Sequence, residues 1–286
     1  VWSVIASDSH RDRVGLGWRP ELALGIACNL ERIDLVEAIA DDWFDVSRRK
    51  RNELKMLCAQ VPVLLHGIGL GMASTFAVNE KKLAAMARLC DAVQPECWSE
   101  HLAFVRAGDI ELGHLAAPPR NEATVEGTCR NLQRARSVVG SAPAMENIAT
   151  IIDPPGSTLG ESEWIDRILD ATSCRLLLDL HNVYANGRNF GGGASALLDQ
   201  VNRGRIGYLH IAGGRNSAEG RTVDDHLHAV PSQVYELLED AAARSPHPLT
   251  VILERDGNYP PMAELLHELD RARRALEAGR KRRPTA

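Results

Sequence analysis

Six of the ten histidines in this chain lie at the ends of short apolar runs or on one loop, and carboxylates share those positions. Leu176–Leu178 carries no charge until Asp179, and His181 and Asn182 follow at once. Val61–Leu65 ends in His66, Cys97–Ser99 runs into Glu100 and His101, and Ala142–Met145 into Glu146. Ile206–Leu209 ends in His210 and Leu249–Leu253 in Glu254, while the long loop 212–229 holds Asp224 and His226. Imidazole with carboxylate is a donor set for a first-row transition metal. There are too many donors for one ion, and Glu146 and Asp179 are bridging candidates because a carboxylate can hold one ion with each oxygen. Asp224-x-His226 can bring both side chains to one side of an extended segment. A single His after a strand is more often an ordinary hydrogen-bonded loop residue. Eight such groups at matching positions are different, because crowded carboxylates and imidazoles repel or desolvate one another without a cation.

The elements that must position these groups alternate. Apolar runs at 14–18, 33–38, 61–65, 97–99, 142–145, 176 onward, 206–209 and 249–253 read as buried strands. Helical spacing covers 21–29, 48–60, 79–93, 121–139, 161–172, 194–202, 231–243 and 261–276, with Pro20 and Pro231 suited to first turns. Strand and helix in alternation imply a parallel sheet. Eight such units in about 250 residues have the size of a TIM (β/α)8 barrel, whose chemistry collects at the carboxyl ends of its strands. An open doubly wound sheet is the competing fold, but Gly15-Leu-Gly-Trp-Arg-Pro20 is not the glycine fingerprint it needs. One domain is expected over 1–286, with loose tails at 1–13 and 280–286. The glycine-rich stretch Gly187–Gly193 is expected as a loop, either a mobile lid or a turn.

Composition narrows the classes further. Apolar residues make up 44% and charged residues 25%, as in ordinary globular chains. A net charge of -5 gives no global basic footprint for nucleic acid. No apolar stretch reaches membrane-spanning length. Six cysteines without a Cys-x-x-Cys pair read as reduced thiols of a cytoplasmic protein.

Combined, the motifs have a recognisable likeness. Gly15-Leu-Gly-Trp-Arg-Pro20, Leu65-His-Gly-Ile-Gly-Leu70, Ser99-Glu-His-Leu102, Met145-Glu-Asn147, Leu178-Asp-Leu-His-Asn-Val-Tyr184, Leu209-His-Ile-Ala-Gly213, Asp224-Asp-His226 and Leu253-Glu254 span nearly the whole chain. The set resembles the multinuclear non-haem iron-dependent oxidases, to which the methanobactin-biosynthesis oxidase belongs, within the xylose-isomerase-like and endonuclease IV-like barrels. The resemblance implies two or three irons, mixed-valent, with O2 as co-substrate. It implies that His66, His101 and Glu146 hold one ion, that Glu146, Asp179, His210 and Glu254 hold a second, and that Asn182, Asp224 and His226 hold a third. Glu146, Asp179 and His210 would then stand closest to the catalysis. His181 is an alternative to Asn182, and His228 an outer neighbour. Where the family usually shows Glu and Asn after the second strand, this chain has Asp41 and Asp42, a departure that touches substrate contacts more than metal binding.

The implied reaction is oxidation of cysteine side chains in a ribosomally synthesised precursor peptide. A separate leader-recognition partner protein is expected, and neither nucleic acid nor membrane. Arg19, Arg188 and Arg215 are candidates for gripping the peptide, with surface solvation as the alternative. Two other enzyme classes share the barrel. An endonuclease IV-like metal-dependent phosphodiesterase would look for histidine at the place of Asn182 and for basic, aromatic loops. A sugar isomerase-like enzyme would look for an activating lysine at the strand ends. A barrel with purely structural metals is a further alternative, because fold does not fix chemistry.

Overall fold

A computed structural model describes residues 11–191, 197, 198, 201 and 203–282. Its strands are β1 (Arg13–Trp18), β2 (Val36–Ile39), β3 (Val63–His66), β4 (Cys97–His101), β5 (Phe104–Ala107), β6 (Ile110–Ala116), β7 (Ala144–Glu146), β8 (Leu176–Asp179), β9 (Ile206–Ile211), β10 (Arg215–Asn216), β11 (Thr222–Val223) and β12 (Thr250–Leu253). Eight of them, β1, β2, β3, β4, β7, β8, β9 and β12, close a barrel in chain order. The expected (β/α)8 barrel is therefore the fold. The α-helices among the described residues are α1 (Ala23–Ala27), α2 (Arg48–Cys58), α3 (Glu80–Val93), α4 (Glu122–Val139), α5 (Glu161–Thr172), α6 (Leu180–Phe190), α7 (Ser232–Arg244) and α8 (Met262–Arg282). The strands are apolar on both faces, as buried parallel strands require: Leu176, Leu177, Leu178, Val251, Ile252 and Leu253 are all fully buried. No helix among the described residues is long and apolar enough to cross a membrane.

Chain contacts divide the described residues into two compact units. One comprises Ala38–Ile148 and Ile152–Leu176. In it β3, β4 and β7 pair in parallel, with His66 opposite Ser99 and His101 opposite Glu146. Helices α3, α4 and α5 pack in succession. Asn79 caps α3 by accepting from Lys81 N and Lys82 N. Asn121 and Thr124 form a capping box at the start of α4, which satisfies amides that a helix end leaves open.

The other unit comprises residues 11–37, Ala149–Ile151 and the described part of 177–282. Here β1 pairs with β12 and β12 with β9, all parallel. The long helices α7 and α8 pack against each other, and α8 also lies on β1.

The structure alters several expectations, each for a local reason. The strand that opens at Leu176 ends at Asp179, as expected, but a helix follows at once: Asp179 caps α6 by accepting from Asn182 N at 2.7 Å. Helix α6 continues to Phe190, so Gly187–Phe190 is not a loop, and Gly191 ends the helix at φ 75°. The rest of the expected glycine-rich loop lies outside the described residues, as does most of the helix expected over 194–202. The hairpin β5–β6 stands where no element was expected; Gly108, at φ 61°, makes its two-residue turn. A second hairpin, β10–β11, occupies part of the long loop that carries Asp224. The supposed loose tail is helical through Arg282, and Arg280 donates to Asp12 at 2.7 Å and to the Ala242, Ser245 and His247 carbonyls. At the other terminus, residues 1–10 lie outside the description, whereas Arg13 already belongs to β1.

Candidate metal centre

Every strand-end group singled out from the sequence closes its strand or stands next to its last residue. His66, His101, Glu146 and Asp179 are the last residues of β3, β4, β7 and β8; His210 is next to last in β9, and Glu254 follows β12. Within the first unit, His66, His101 and Glu146 are buried, and each offers a ligand atom within 4.8 Å of the others. Their proton positions follow from their neighbours. Ser99 Oγ lies 2.7 Å from His66 Nδ1 and also reaches the Leu65 carbonyl at 3.5 Å. With that hydroxyl turned to the carbonyl, His66 Nδ1–H donates to Oγ, the tautomer that leaves Nε2 to a cation. His101 Nδ1 lies 3.2 Å from the Gly67 carbonyl, which can only accept, so Nδ1 carries the proton there too. Both rings therefore turn an Nε2 lone pair inward, at 3.3 Å and 3.2 Å from Glu146 Oε2. Three acceptors converging in a buried place suit a cation, and two imidazoles with one carboxylate suit a divalent transition metal.

Glu100, given no role beside His101 in the sequence, supports this group. It is fully buried and accepts from Leu70 N and His101 N, both at 2.9 Å. Asp41 accepts from Ile68 N at 2.9 Å, and Lys82 Nζ donates to the Gly69 carbonyl at 3.1 Å. Burial pushes the Asp41 carboxyl above its ordinary range, and the charge of Glu100 adds to the shift. Thus Asp41 holds the loop that follows β3, whereas Asp42 is exposed.

In the second unit Asp179, His210 and Glu254 are buried and offer ligand atoms within 4.8 Å of one another. His210 Nδ1 lies 3.0 Å from Glu254 Oε2, and its Nε2 lies 2.8 Å from Glu37 Oε1. Nearby, one oxygen of Asp224 meets two histidines: Oδ1 is 2.7 Å from His181 Nδ1 and 2.9 Å from His226 Nε2. His226 Nδ1 faces Asp256 Oδ2 at 3.1 Å and Glu254 Oε2 at 3.4 Å. Burial works against charge on His226, but Asp224 and Glu254 outweigh it and hold the imidazolium well above the ordinary histidine range. Burial likewise raises the Asp224 carboxyl, and His226 and His181 outweigh it, so its net shift is downward. His226 adopts φ 55°, a left-handed backbone that few non-glycine residues take. Asn182 is buried in the first turn of α6, its amide on Asp179. His228 is exposed and pairs with Asp225 at 3.0 Å.

The three arginines differ in setting. Arg19 is buried, donating to the Trp18 carbonyl at 2.8 Å, pairing with Asp256 at 2.5 Å and lying 3.9 Å from Glu254. Arg188 and Arg215 are exposed; the first lies over Tyr184 and the second pairs with Asp225 at 3.2 Å. The chain's own six cysteines are all free. Burial pushes Cys58 up to about 11 and Cys90 up to about 12, which leaves both as inert thiols.

Sequence reasoning gave no role to Glu37, Tyr208 or Ser99. For Glu37 there was a signal: a carboxylate between Val36 and Ala38, inside a strand that must be buried. Tyr208 and Ser99 gave none, because their roles depend on which residues face them across the barrel.

Comparison with known proteins follows the same lines. A family model described as "RiPP precursor modification enzyme MbnB/TglH/ChrH" matches residues 13–277. A UPF0276 protein of Streptomyces avermitilis is 35% identical over 270 residues, which is 92% of this chain and 55% of that protein. The chain thus spans about half the length of that relative. A UPF0276 protein of Rhizorhabdus wittichii is 33% identical over 254 residues, covering 87% of this chain and 89% of its own. Among solved structures, an L-ribulose 3-epimerase superposes with a TM-score of 0.63 at 14% identity, over 94% of this chain and 96% of that one. Endonuclease IV from Thermus thermophilus gives a TM-score of 0.56 at 15% identity, over 94% and 99%. At such identities the two structures speak for the fold alone.

Proposed function

The chain belongs to the family of RiPP precursor modification enzymes MbnB/TglH/ChrH, and from that premise we propose that it is an iron- and O2-dependent oxidase of cysteine residues in a ribosomally synthesised precursor peptide. The observation that carries the reading is the buried set His66, His101 and Glu146, with two inward Nε2 atoms on one carboxylate oxygen. These three would hold one iron. Asp179, His210 and Glu254 would hold a second, with Glu146 shared between them, and Asn182, Asp224 and His226 a third. When bound, the irons would supply a seat for a substrate thiolate and the electrons for O2 chemistry.

The chain's own residues would do the rest. Ser99 and the Gly67 carbonyl fix the protons of two imidazoles on Nδ1, so that Nε2 stays available. Asp179 accepts the Asn182 amide with one oxygen and would turn the other to the ion. Arg188 and Arg215, both exposed, would bind a peptide carboxylate or backbone carbonyl. Arg19 would act from within, holding Asp256 beside His226. The catalytic weight falls on Glu146, Asp179 and His210. We further propose that a separate partner protein recognises the leader of the peptide, and that the enzyme works in the cytoplasm, where its six free cysteines stay reduced.

Elemental analysis of anaerobically purified protein tests the reading, with and without Asp179→Ala. Two or more irons per chain, lost in the variant, together with oxygen consumption on a cysteine-bearing precursor peptide, are expected. Stoichiometric zinc with cleavage of abasic DNA would overturn it.

A further inference from the structure

His210 differs from the other two buried strand-end histidines in how its ring is held. His66 places Nδ1 on a hydroxyl and His101 on a carbonyl at 3.2 Å, with Glu100 Oε1 farther off at 3.5 Å, and both turn Nε2 inward. His210 has a carboxylate on each side, in close contacts that lack hydrogen-bond alignment: Glu37 Oε1 at 2.8 Å from Nε2, and Glu254 Oε2 at 3.0 Å from Nδ1. The two carboxylates are not equivalent. Glu254 belongs to the convergent donor group with Asp179 and His210, whereas Glu37 does not. The second oxygen of Glu37 accepts from the Tyr208 hydroxyl at 2.7 Å. Glu37, Tyr208 and His210 are all buried, and they come from β2 and β9. A carboxylate engaged by a tyrosine O–H on one oxygen can take an N–H on the other, and a buried carboxylate needs such donors.

We infer that Glu37 is a positioning residue: it accepts the Nε2 proton of His210 and so makes Nδ1 the metal-binding nitrogen, opposite to His66 and His101. The chain Tyr208–Glu37–His210 would orient the ring, fix its tautomer and raise its basicity, as carboxylates behind metal-bound histidines do. This rests on the metal reading above and adds to it a residue and a nitrogen.

The test uses the full chain loaded with Zn(II), a diamagnetic probe, with histidines labelled with nitrogen-15. Long-range proton–nitrogen spectra tell a metal-bound ring nitrogen from a protonated one. Chelator competition gives the affinity of each bound ion. The expected wild-type result is one histidine bound through Nδ1 with Nε2 protonated, assigned to His210 by its loss in His210→Asn. Glu37→Leu should weaken one ion by about 10–100-fold, the usual effect of losing such a partner, while the ion on His66, His101 and Glu146 stays bound and reports an intact fold. Glu37→Gln, whose amide oxygen still accepts Nε2–H, should keep Nδ1 ligation and lose less affinity. His210 bound through Nε2, or a Glu37→Leu protein that holds both ions as the wild type does, would overturn this inference alone. Glu37 itself acting as a ligand would give the first of those outcomes. A wild type that binds no zinc would overturn this inference and the metal reading together.

Discussion

The far part of the loop that follows His66, residues 72–78, is tied to α4 through Asn131, and cutting that tether gives a measurable prediction. Asn131, buried on α4, donates from Nδ2 to the carbonyls of Met72 at 3.1 Å, Ser74 at 3.3 Å and Phe76 at 3.0 Å, and accepts from Val78 N at 3.0 Å. One turn earlier Gly127 lets the same loop approach closely: a Cβ there would meet the Ser74 carbonyl oxygen at 2.4 Å. In Asn131→Ala the buried Val78 amide loses its acceptor, at a cost of about 1–3 kcal/mol. The Met72 carbonyl loses one of two donors and keeps Ser74 N at 3.0 Å, whereas the carbonyls nearer exposed Phe76 are free to turn to water. The cost is therefore dominated by the Val78 amide, about 1–3 kcal/mol, which lowers the midpoint of thermal unfolding by roughly 3–10 °C for a chain of this size. Circular dichroism melts of the metal-free protein read the shift, and limited proteolysis between 72 and 78 should quicken in parallel. Asn131→Asp sharpens the test. It keeps the acceptor for Val78 N but sets a carboxylate against three carbonyls, so it should be no better than alanine. An alanine variant that melts within about 1 °C of wild type, with the loop as resistant to protease as before, would refute the tether.

Gly213→Ala should destabilise by about 1–3 kcal/mol through overpacking, since a Cβ there would lie 2.2 Å from the Ala229 carbonyl oxygen and 2.4 Å from that of His228; urea unfolding measures the loss, and unchanged stability would mean the loop does not press on β9 as described. Asp179→Asn should keep the cap on α6, because asparagine caps as well as aspartate, yet lose metal that wild type retains; elemental analysis beside a metal-free melt separates the two roles, and full metal content in the variant would remove Asp179 from the ligands. Asp34 accepts from Val14 N at 2.8 Å and pairs with Arg11 at 2.7 Å; burial alone would raise its carboxyl, but these partners outweigh burial and hold it below the ordinary range. Its stabilising effect is therefore present above the unfolded value of about 3.9 and fades as pH falls through the lower folded value. Urea unfolding from neutral pH down to about pH 2 should show Asp34→Asn converging on wild type at the acid end, and a constant gap would contradict the sign.

The barrel and its candidate ligands were readable because both leave local marks. An apolar run that ends in His66 or Asp179 announces a buried strand and a polar rim within a few residues of sequence. Alternation with helices then fixes the architecture, since parallel strands need crossovers. What was not readable lay where a local rule has two outcomes. Leu176–Tyr184 is uniformly apolar apart from Asp179, His181 and Asn182, and its composition marks the strand's end at Asp179 but not that a helix starts there. The capping bond from Asn182 N to Asp179 decides it. Likewise Gly187, which reads as a loop residue by composition, sits inside α6, where the penalty for glycine is about 1 kcal/mol, small enough for packing to override.

The supporting residues are a different case, because their roles are set by register. Ser99 can bond to His66 only because β3 and β4 pair with those two residues opposite each other. Glu37 meets His210 and Tyr208 across 171 positions between Glu37 and the tyrosine. No pattern within either segment carries that information. A one-residue slip of β2 would turn Glu37 to the other face of the sheet and bring Val36 or Ala38 to its place. The buried carboxylate in an apolar strand is thus both the one trace the sequence leaves and a constraint on the fold. Only a register that gives Glu37 its donors avoids leaving a buried charge uncompensated. The same contacts that set the His210 ring therefore also help select the pairing of the strands that carry it.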